Sequence, residues 1–497
     1  MEKSKKLIFN HFYKLRHDLK RSFIISPEII RNTNKKVHLG LISKIHPVYA
    51  MIFSFFSNPI TLNDAIDQIS AFLEISKSDV KDLIENLIER DDFSSCEYGG
   101  TNNVFPPNII IDIKDVFIDT FQYTPSQFIY KELDFNQDRF YIAPIGIIFM
   151  VNNYCATNCV YCYADKGTKV NLLPFNRTKA IIKNAHDIGV NSFIITGGEI
   201  FLYEFWKELI SELEKYNYKL PVLSTKLPLK ETEINIIKEF NIPVQISLDS
   251  LNSRESVKIL NTKKNYVENI KQSIVLIEQK GIRFQVATVL TKYNDNIETL
   301  EKIHDFLNNF KNITRWEIRV AFKSLYSRND FEQIKISQES ETQIGNWISN
   351  KKEKTNLNIQ WSPSGGESRY FQSEGGSRNF IGPKCSANFS HMVILPDGKV
   401  TICEQLYWNP RFLIGDVSKQ SIEEVWNSPR ALKLAYPTKE DFRDESVCKK
   451  CKIFDECFSY SNKCFADVLK GYGNENWDFP DPRCKEAPAF IYDLIHH

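Results

Sequence analysis

Eleven cysteines carry most of the chemistry available to this chain. Three fall within eight residues, in Cys155-Ala-Thr-Asn-Cys159-Val-Tyr-Cys162, and seven lie between Cys385 and Cys484. Cys96 stands apart and reads as a solitary thiol. Three thiolates on one short loop can bind three irons of a four-iron–four-sulfur cluster and leave the fourth iron open. A zinc knuckle is the competing reading, but zinc prefers four closed ligands, and neither a His nor a fourth Cys is adjacent. The C-terminal seven run Cys385-x12-Gly398-x4-Cys403, then Cys448-x2-Cys451-x5-Cys457, then Cys464 and, in Asp-Pro-Arg-Cys, Cys484. A zinc ribbon would use four of these and leave three unexplained. Cysteines clustered in a long chain, rather than spread through a short one, favour metal ligation in a reducing compartment over a disulfide scaffold.

Other candidate groups sit where strand-like runs end. These are Thr196-Gly197-Gly198-Glu199, Thr225-Lys226 and Ser247-Leu248-Asp249. Glu317 and Arg319 alternate with apolar neighbours on a further run, so one of them could face inward. The terminal His496-His497 pair is too short to read as a metal site. No Ser-His-Asp or paired-carboxylate set follows from spacing.

The elements that must position these groups read as follows. Six strand-like runs, Ile145–Val151, Ser192–Thr196, Pro221–Thr225, Val244–Leu248, Phe284–Leu290 and Trp316–Ala321, alternate with amphipathic helices such as Lys179–Ile188 and Tyr266–Gln279. Such βα repetition predicts a parallel sheet or partial barrel, with chemistry at the C-terminal ends of the strands. Before it, two β-like runs (Ser22–Ile30 and Val37–Ser43) precede three helices. The first is opened by Pro47 (Val48–Phe56). The second is opened by Thr61-Leu-Asn-Asp64 and runs to about Leu73, and the third is Ser78–Asp92. That order describes a winged-helix-like module. The Gly- and Pro-bearing stretch Ser94–Pro107 reads as its boundary. After Ser364 the periodicity fades, and Gly375-Gly376, Gly382-Pro383, Pro396-Asp-Gly398 and Asp481-Pro482 punctuate a loop-rich region expected to depend on metal for its fold.

The chain has 497 residues, 63 Lys+Arg against 62 Asp+Glu, and 25% charged residues, which fits a multi-domain globular protein. This balance gives no global reason to expect nucleic acid or an anionic membrane as partner. The longest apolar runs, Tyr49–Phe56 and Ile145–Val151, are far short of the roughly 18 residues of a spanning helix. The charged N-terminus has no h-region, so a cytoplasmic location is expected.

CxxxCxxC with Tyr161 before its last cysteine, after the first strand of a βα series, resembles the radical S-adenosylmethionine (SAM) superfamily. Thr196-Gly-Gly-Glu199 resembles that family's GGE motif, with Ile200 where relatives usually carry Pro. The resemblance covers about Ile145–Ala321. It implies a first cluster on Cys155, Cys159 and Cys162, whose open iron binds SAM for reductive cleavage to a 5′-deoxyadenosyl radical. It also implies SAM contacts from Tyr161, Gly197, Gly198, Glu199, Thr225, Lys226, Ser247 and Asp249. The glycines would let the backbone approach the methionine end of SAM.

The C-terminal syntax resembles the SPASM extension, which houses two auxiliary four-iron clusters. Here the Cys457–Cys464 gap is x6, where the common pattern has x3. Interleaved ligation as in that family assigns Cys448, Cys451, Cys457 and Cys484 to the second auxiliary cluster. It leaves Cys385, Cys403 and Cys464 for the first, one ligand short.

For the N-terminal module, a DNA-binding winged helix and a docking domain are the plain alternatives. Its third helix holds six acidic residues (Asp79, Asp82, Glu85, Glu89, Asp91, Asp92) against Lys81 and Arg90, a balance that phosphates would repel. The module resembles the RiPP recognition element, in which a leader peptide adds as a strand beside the third strand and against the third helix. Carried over, the leader contacts are Val37, Leu39, Leu41, Val80, Ile84 and Leu87.

The expected architecture is thus α/β. It comprises a winged-helix-like leader-binding module (residues 1–98), a linker (99–141), a partial (β/α)6 radical SAM barrel (142–364) and a SPASM domain (365–497). The expected activity is maturation of a ribosomally made precursor peptide, fed by an external donor such as flavodoxin or ferredoxin. A Cys-to-carbon thioether is the leading product, carbon–carbon cross-linking is next, and epimerisation is less natural. A sulfatase-maturase-like oxidation of Cys or Ser to formylglycine and a non-catalytic metal-binding scaffold are the rivals.

Overall fold

The computed structural model describes residues 5–27, 36–115, 121–327, 331–364, 385–459 and 463–489. The chain divides into two compact units, Met1–Ile145 with Asp187–Ser192, and Gly146–His186 with Phe193–His497.

In the first unit, strands Lys14–His17, Ser22–Ile25 and Ile42–Ile45 form an antiparallel sheet, with Ile42–Ile45 at its edge. Lys6–Phe9 pairs between Ile60–Thr61 and Ile110–Asp112 in a second sheet. The three helices form where expected. Pro47 opens Pro47–Ser54, where its missing N–H costs nothing. Thr61 caps Leu62–Leu73 by accepting from Asp64 N, and Ser76 caps Lys77–Glu85 by accepting from Asp79 N.

Four expectations need correction. The third strand is Ile42–Ile45 rather than Val37–Ser43, because Leu39–Gly40 make a turn with Gly40 at φ +66°. The strand from Ser22 ends at Ile25, and residues 28–30 of the expected run lie outside the described residues. The third helix ends at Glu85 rather than running to Asp92; beyond it Glu89 takes φ +49° and its N–H bonds to Ile110 O. Ser94–Pro107 is no boundary: Ser94–Tyr98 and Thr101–Phe105 form a hairpin over Gly99-Gly100, both at positive φ. Phe105, Ile109, Ile110 and Phe128 then join the buried core of this unit, so residues 99–141 do not run as a linker.

In the second unit, Leu223–Thr225, Val244–Ser247, Phe284–Leu290, Ile313–Val320 and Ile359–Ser362 form one parallel sheet. The central strand, Phe-Gln-Val-Ala-Thr-Val-Leu, buries five of its seven residues, drawn from both faces, as a parallel-sheet strand does. Helix Tyr266–Gln279 buries Val267, Ile270, Ile274 and Ile277 on one stripe, and the chain turns after it through Gly281 at φ +70°. A second sheet has the order Ser192–Thr196, Gly146–Met150, His391–Ile394, Lys399–Thr401, Leu413–Asp416. Here a strand of the C-terminal region pairs in parallel with the first barrel strand, His391 opposite Gly146 and Ile394 opposite Phe149. Arg177, on helix Phe175–Asp187, ties the same two regions by donating to Val417 O and Gln420 O, both at 2.7 Å.

The six expected barrel strands are all present, and Ile359–Ser362 and His391–Ile394 extend them. The region after Ser364 also has more apolar core than its loop-like sequence implies, since Met392, Ile394, Leu395, Val400, Phe412 and Trp426 are wholly buried. Gly375-Gly376, Gly382-Pro383 and His496-His497 lie outside the described residues.

Candidate functional site

The loop bearing Cys155, Cys159 and Cys162 leaves the C-terminal end of strand Gly146–Met150. It is pinned to the end of helix Ser253–Leu260 by Asn158 N to Leu260 O and Val160 N to Ile259 O, both 2.9 Å. Burial pushes the Cys155 thiol up to about 12, with the neighbouring Cys162, Glu199 and Cys159 adding to the rise and Lys166 opposing it. Burial raises Cys159 as well, opposed by Lys226. Thiolates at such positions need a cation to hold their charge.

Gly197-Gly198-Glu199 leaves the neighbouring strand at the same edge. Asn152 clamps this turn: its Oδ1 accepts from Gly198 N (3.1 Å) and Glu199 N (3.3 Å), and its Nδ2 donates to Glu199 O at 2.9 Å. A Cβ on Gly198 would meet Tyr154 O at 2.1 Å and Tyr154 N at 2.7 Å; one on Gly197 would meet Asn152 O at 3.1 Å. The close approach that Gly198 permits is therefore to the cysteine loop's own backbone, where the sequence reading assigned it to the ligand.

Glu199 is buried, accepting from Thr225 Oγ1 (2.9 Å), Lys226 N (3.0 Å) and Phe201 N (3.4 Å). Asp249 is equally buried and accepts from Tyr161 OH (2.6 Å) and Val289 N (2.8 Å). Desolvation raises both carboxyls, and these hydrogen bonds oppose the rise. Lys226 Nζ sits 5.4 Å from the Tyr161 ring centroid, and its charge reaches both Asp249 and Cys159. Ser247 is buried at its strand end. The fold thus gathers at one edge the three cysteines and all the residues expected to contact SAM.

A small pocket at this edge is lined by Met150, Tyr163, Thr196, Gly197, Val393, Leu395, Glu404 and Tyr407. Glu404 has no hydrogen bond or ion pair among the described residues, and burial raises its carboxyl. Sequence reasoning missed Asn152 and Glu404. Asn152 carried no signal, but Glu404 follows Cys403 directly and lay within reach. Glu317, by contrast, pairs with Arg319 at 2.8 Å.

The C-terminal cysteines form two sets. Cys385, Cys403 and Cys464 line one cavity. Burial raises Cys403 to about 12, with Cys385 next among the groups adding to the rise. Cys457 is also pushed to about 12, chiefly by burial and then by Cys448, Cys484 and Cys451, so these four lie together. The all-sulfur make-up of both sets suits iron–sulfur clusters. The one tight group among the described residues, Glu301, His304 and Asp305, is already engaged with Lys351, Trp347 and Thr355. Cys96 belongs to the first unit, where it lies 2.9 Å from Tyr49 OH.

The expected leader contacts are divided. Val80, Ile84 and Leu87 are buried in the first unit's own core, because the helical stripe that marks an apolar face does not say what covers it. Leu39 is 45% exposed, Leu41 is half-buried, and Val37 packs on the core from its edge. No helix among the described residues is long and apolar enough to cross a membrane.

Comparison with known proteins agrees with this geometry. Residues 149–307 match the model of the Radical SAM superfamily, and residues 385–452 match that of the SPASM iron–sulfur cluster-binding domain. The antilisterial bacteriocin subtilosin biosynthesis protein AlbA of Bacillus subtilis (strain 168) is 23% identical over 348 residues, 67% of this chain and 69% of that protein. A GTP 3′,8-cyclase of Helicobacter pylori (strain ATCC 700392 / 26695) is 33% identical over 161 residues, 30% of this chain and about half (48%) of the cyclase. Among solved structures, Streptococcus suis SuiB bound to precursor peptide SuiA aligns with a TM-score of 0.62 at 16% identity. That alignment covers 96% of this chain and all of SuiB, and shows a shared fold. The matched models, together with a cysteine loop and GGE turn at the expected strand ends, make this chain a radical SAM enzyme with a SPASM iron–sulfur domain.

Proposed function

We propose that the enzyme matures a ribosomally made precursor peptide and joins a cysteine of that peptide to carbon through a thioether. The observation that carries the product assignment is the cavity lined by Cys385, Cys403 and Cys464. With the other cysteines assigned elsewhere or isolated, this set is one ligand short, and the vacant position suits a thiolate from outside the chain. Cys155, Cys159 and Cys162 would hold the radical SAM cluster, and Cys448, Cys451, Cys457 and Cys484 the second auxiliary cluster, three clusters in all. When bound, the clusters and SAM supply the one-electron chemistry that takes a hydrogen atom from carbon.

The chain's own residues bind and orient. Glu199 accepts from an ammonium group, Lys226 faces a carboxylate, and Asp249 with Ser247 receives hydroxyls. Glu404, Tyr163 and Tyr407 offer polar atoms to the peptide in the pocket. The leader adds to the first unit against helix Lys77–Glu85, whose exposed Asp79, Asp82 and Glu85 favour a basic leader. Leader binding at a remote module raises the local concentration of the reacting segment. AlbA's role in subtilosin biosynthesis and SuiB's bound precursor peptide support a peptide substrate.

The test is anaerobic co-expression with a Cys-containing precursor, followed by intact and tandem mass measurement. Loss of two hydrogens with a cysteine no longer alkylatable is the expected result. Loss of two hydrogens with that cysteine free would replace the thioether by a carbon–carbon bond. In a leader titration, Asp79→Lys/Asp82→Lys/Glu85→Lys weakens binding; unchanged affinity would sink the leader site.

A further inference from the structure

The lengthened spacing between Cys457 and Cys464 brings a lysine into the auxiliary region. Lys463 is 8% exposed, and its Nζ has no hydrogen-bond partner among the described residues. The ammonium instead lies over three rings, 4.9 Å from the centroid of Phe442, 5.2 Å from Phe465 and 5.6 Å from Phe458. Lys463 lines the cavity of Cys385, Cys403 and Cys464, while the groups that act on its charge include Cys448 and Cys457 of the other set. It therefore lies between the two.

A buried ammonium without an acceptor is among the costliest placements a lysine can take, and ring faces offset only part of that cost. The carboxylates whose charge acts on it are already engaged: Asp478 accepts from Arg443 Nε (3.0 Å) and Asp481 from Arg483 Nε (2.9 Å). What remains to balance the charge is the cysteine sulfur on either side. A cluster held by thiolates is anionic, and gains one more negative charge on reduction. In a dry, ring-lined setting a nearby cation acts on that added charge with little screening.

We infer that Lys463 is the buried counter-charge of the two auxiliary clusters and holds their reduction potentials up. This rests on the cysteine assignments proposed above.

The experiment uses the full chain carrying Cys155→Ala/Cys159→Ala/Cys162→Ala, so that only auxiliary centres contribute, with Lys463→Met and Lys463→Arg added in turn. Iron and sulfide are counted, and reduction is followed by electron paramagnetic resonance at controlled potential. With Met, the reduced-to-oxidised ratio at fixed potential falls at least about tenfold, which is 59 mV for a one-electron couple. Arg keeps it near the lysine value. A midpoint that Met leaves unmoved overturns the inference. Loss of iron with Met but not with Arg supports it, since Arg keeps the positive charge that Met removes; loss with both overturns it in favour of a space-filling role. Iron short of two clusters with Lys463 intact would instead defeat the cysteine assignments, and the inference with them.

Discussion

Gly198→Ala tests whether the GGE turn acts through the cysteine loop rather than through the ligand. A methyl group there would sit 2.1 Å from Tyr154 O, 2.5 Å from Tyr154 C and 2.7 Å from Tyr154 N. An ordinary carbon–oxygen contact is about 3.3 Å, so the two backbones must part by roughly 1.2 Å. No rotamer relieves this, because every obstructing atom is main chain. Tyr154 immediately precedes Cys155, and its carbonyl also accepts from Glu199 N at 2.8 Å, so the displacement passes to the cysteine loop and the buried carboxylate together. A shift near 1 Å in a reacting geometry costs about 10²-fold in rate. The assay is anaerobic formation of 5′-deoxyadenosine with excess reductant, normalised to the iron bound. Gly198→Ala is expected to lose about two orders of magnitude. Gly197→Ala, whose methyl would meet Asn152 O at 3.1 Å and Val151 Cγ2 at 3.3 Å, needs only a few tenths of an ångström and is expected to lose less than about tenfold. A Gly198→Ala enzyme with full iron and wild-type turnover would refute the reasoning.

Glu199→Gln turns an amide N–H₂ toward a group that donates, since Thr225 Oγ1, Phe201 N and Lys226 N all point at this carboxylate. The neutral amide also gives up a charge-assisted hydrogen bond to the SAM ammonium, worth about 1.5–3 kcal/mol, so SAM affinity by equilibrium dialysis is expected to fall about tenfold or more. Cys96→Ala keeps the full iron content, because Cys96 packs on the first unit's apolar core beside Tyr49, whereas Cys484→Ala lowers the iron count by about one cluster; equal counts would break the ligand assignment. His11 is buried with neither ring nitrogen hydrogen-bonded among the described residues, and burial lowers its pKa below the ordinary value of about 6.5. The unfolded chain then takes up the proton first. The stability His11 contributes is complete above about pH 6.5 and is lost as pH falls toward the folded-state pKa. The denaturant midpoint of His11→Phe is expected to fall less between pH 7.5 and 5.5 than that of the wild type, and parallel falls would count against it.

The cysteine loop, the GGE turn and the Asp249 strand end were legible in the sequence because each is a local pattern at the end of an apolar run. What escaped was non-local. His391–Ile394 is four residues in a loop-rich stretch, and it becomes a strand by pairing with residues more than 240 positions earlier. Val37, Leu39 and Leu41 alternate as a strand would, yet Gly40 breaks the run and Ile42–Ile45 pairs instead. Val80, Ile84 and Leu87 were legible as an apolar stripe, but the stripe does not say that helix Leu62–Leu73 and the rest of this unit's core would cover it.

The strand His391–Ile394 also explains how the pocket acquires Glu404. Because His391–Ile394 runs parallel to Gly146–Met150, its C-terminal end emerges at the same edge as the cysteine loop. The turn through Gly398, at φ +89°, sends Lys399–Thr401 back beside it. After Thr401 the chain leaves the strand through a bend at Ile402, and this bend brings Glu404 to the pocket with Gly197 and Met150. A separate domain on a flexible tether would have to find that position on each turnover, at an entropic cost. A strand hydrogen-bonded into the barrel wall holds it there in advance. The SPASM strand is therefore part of the barrel's construction, and deleting it would remove the wall of the pocket along with its carboxylate.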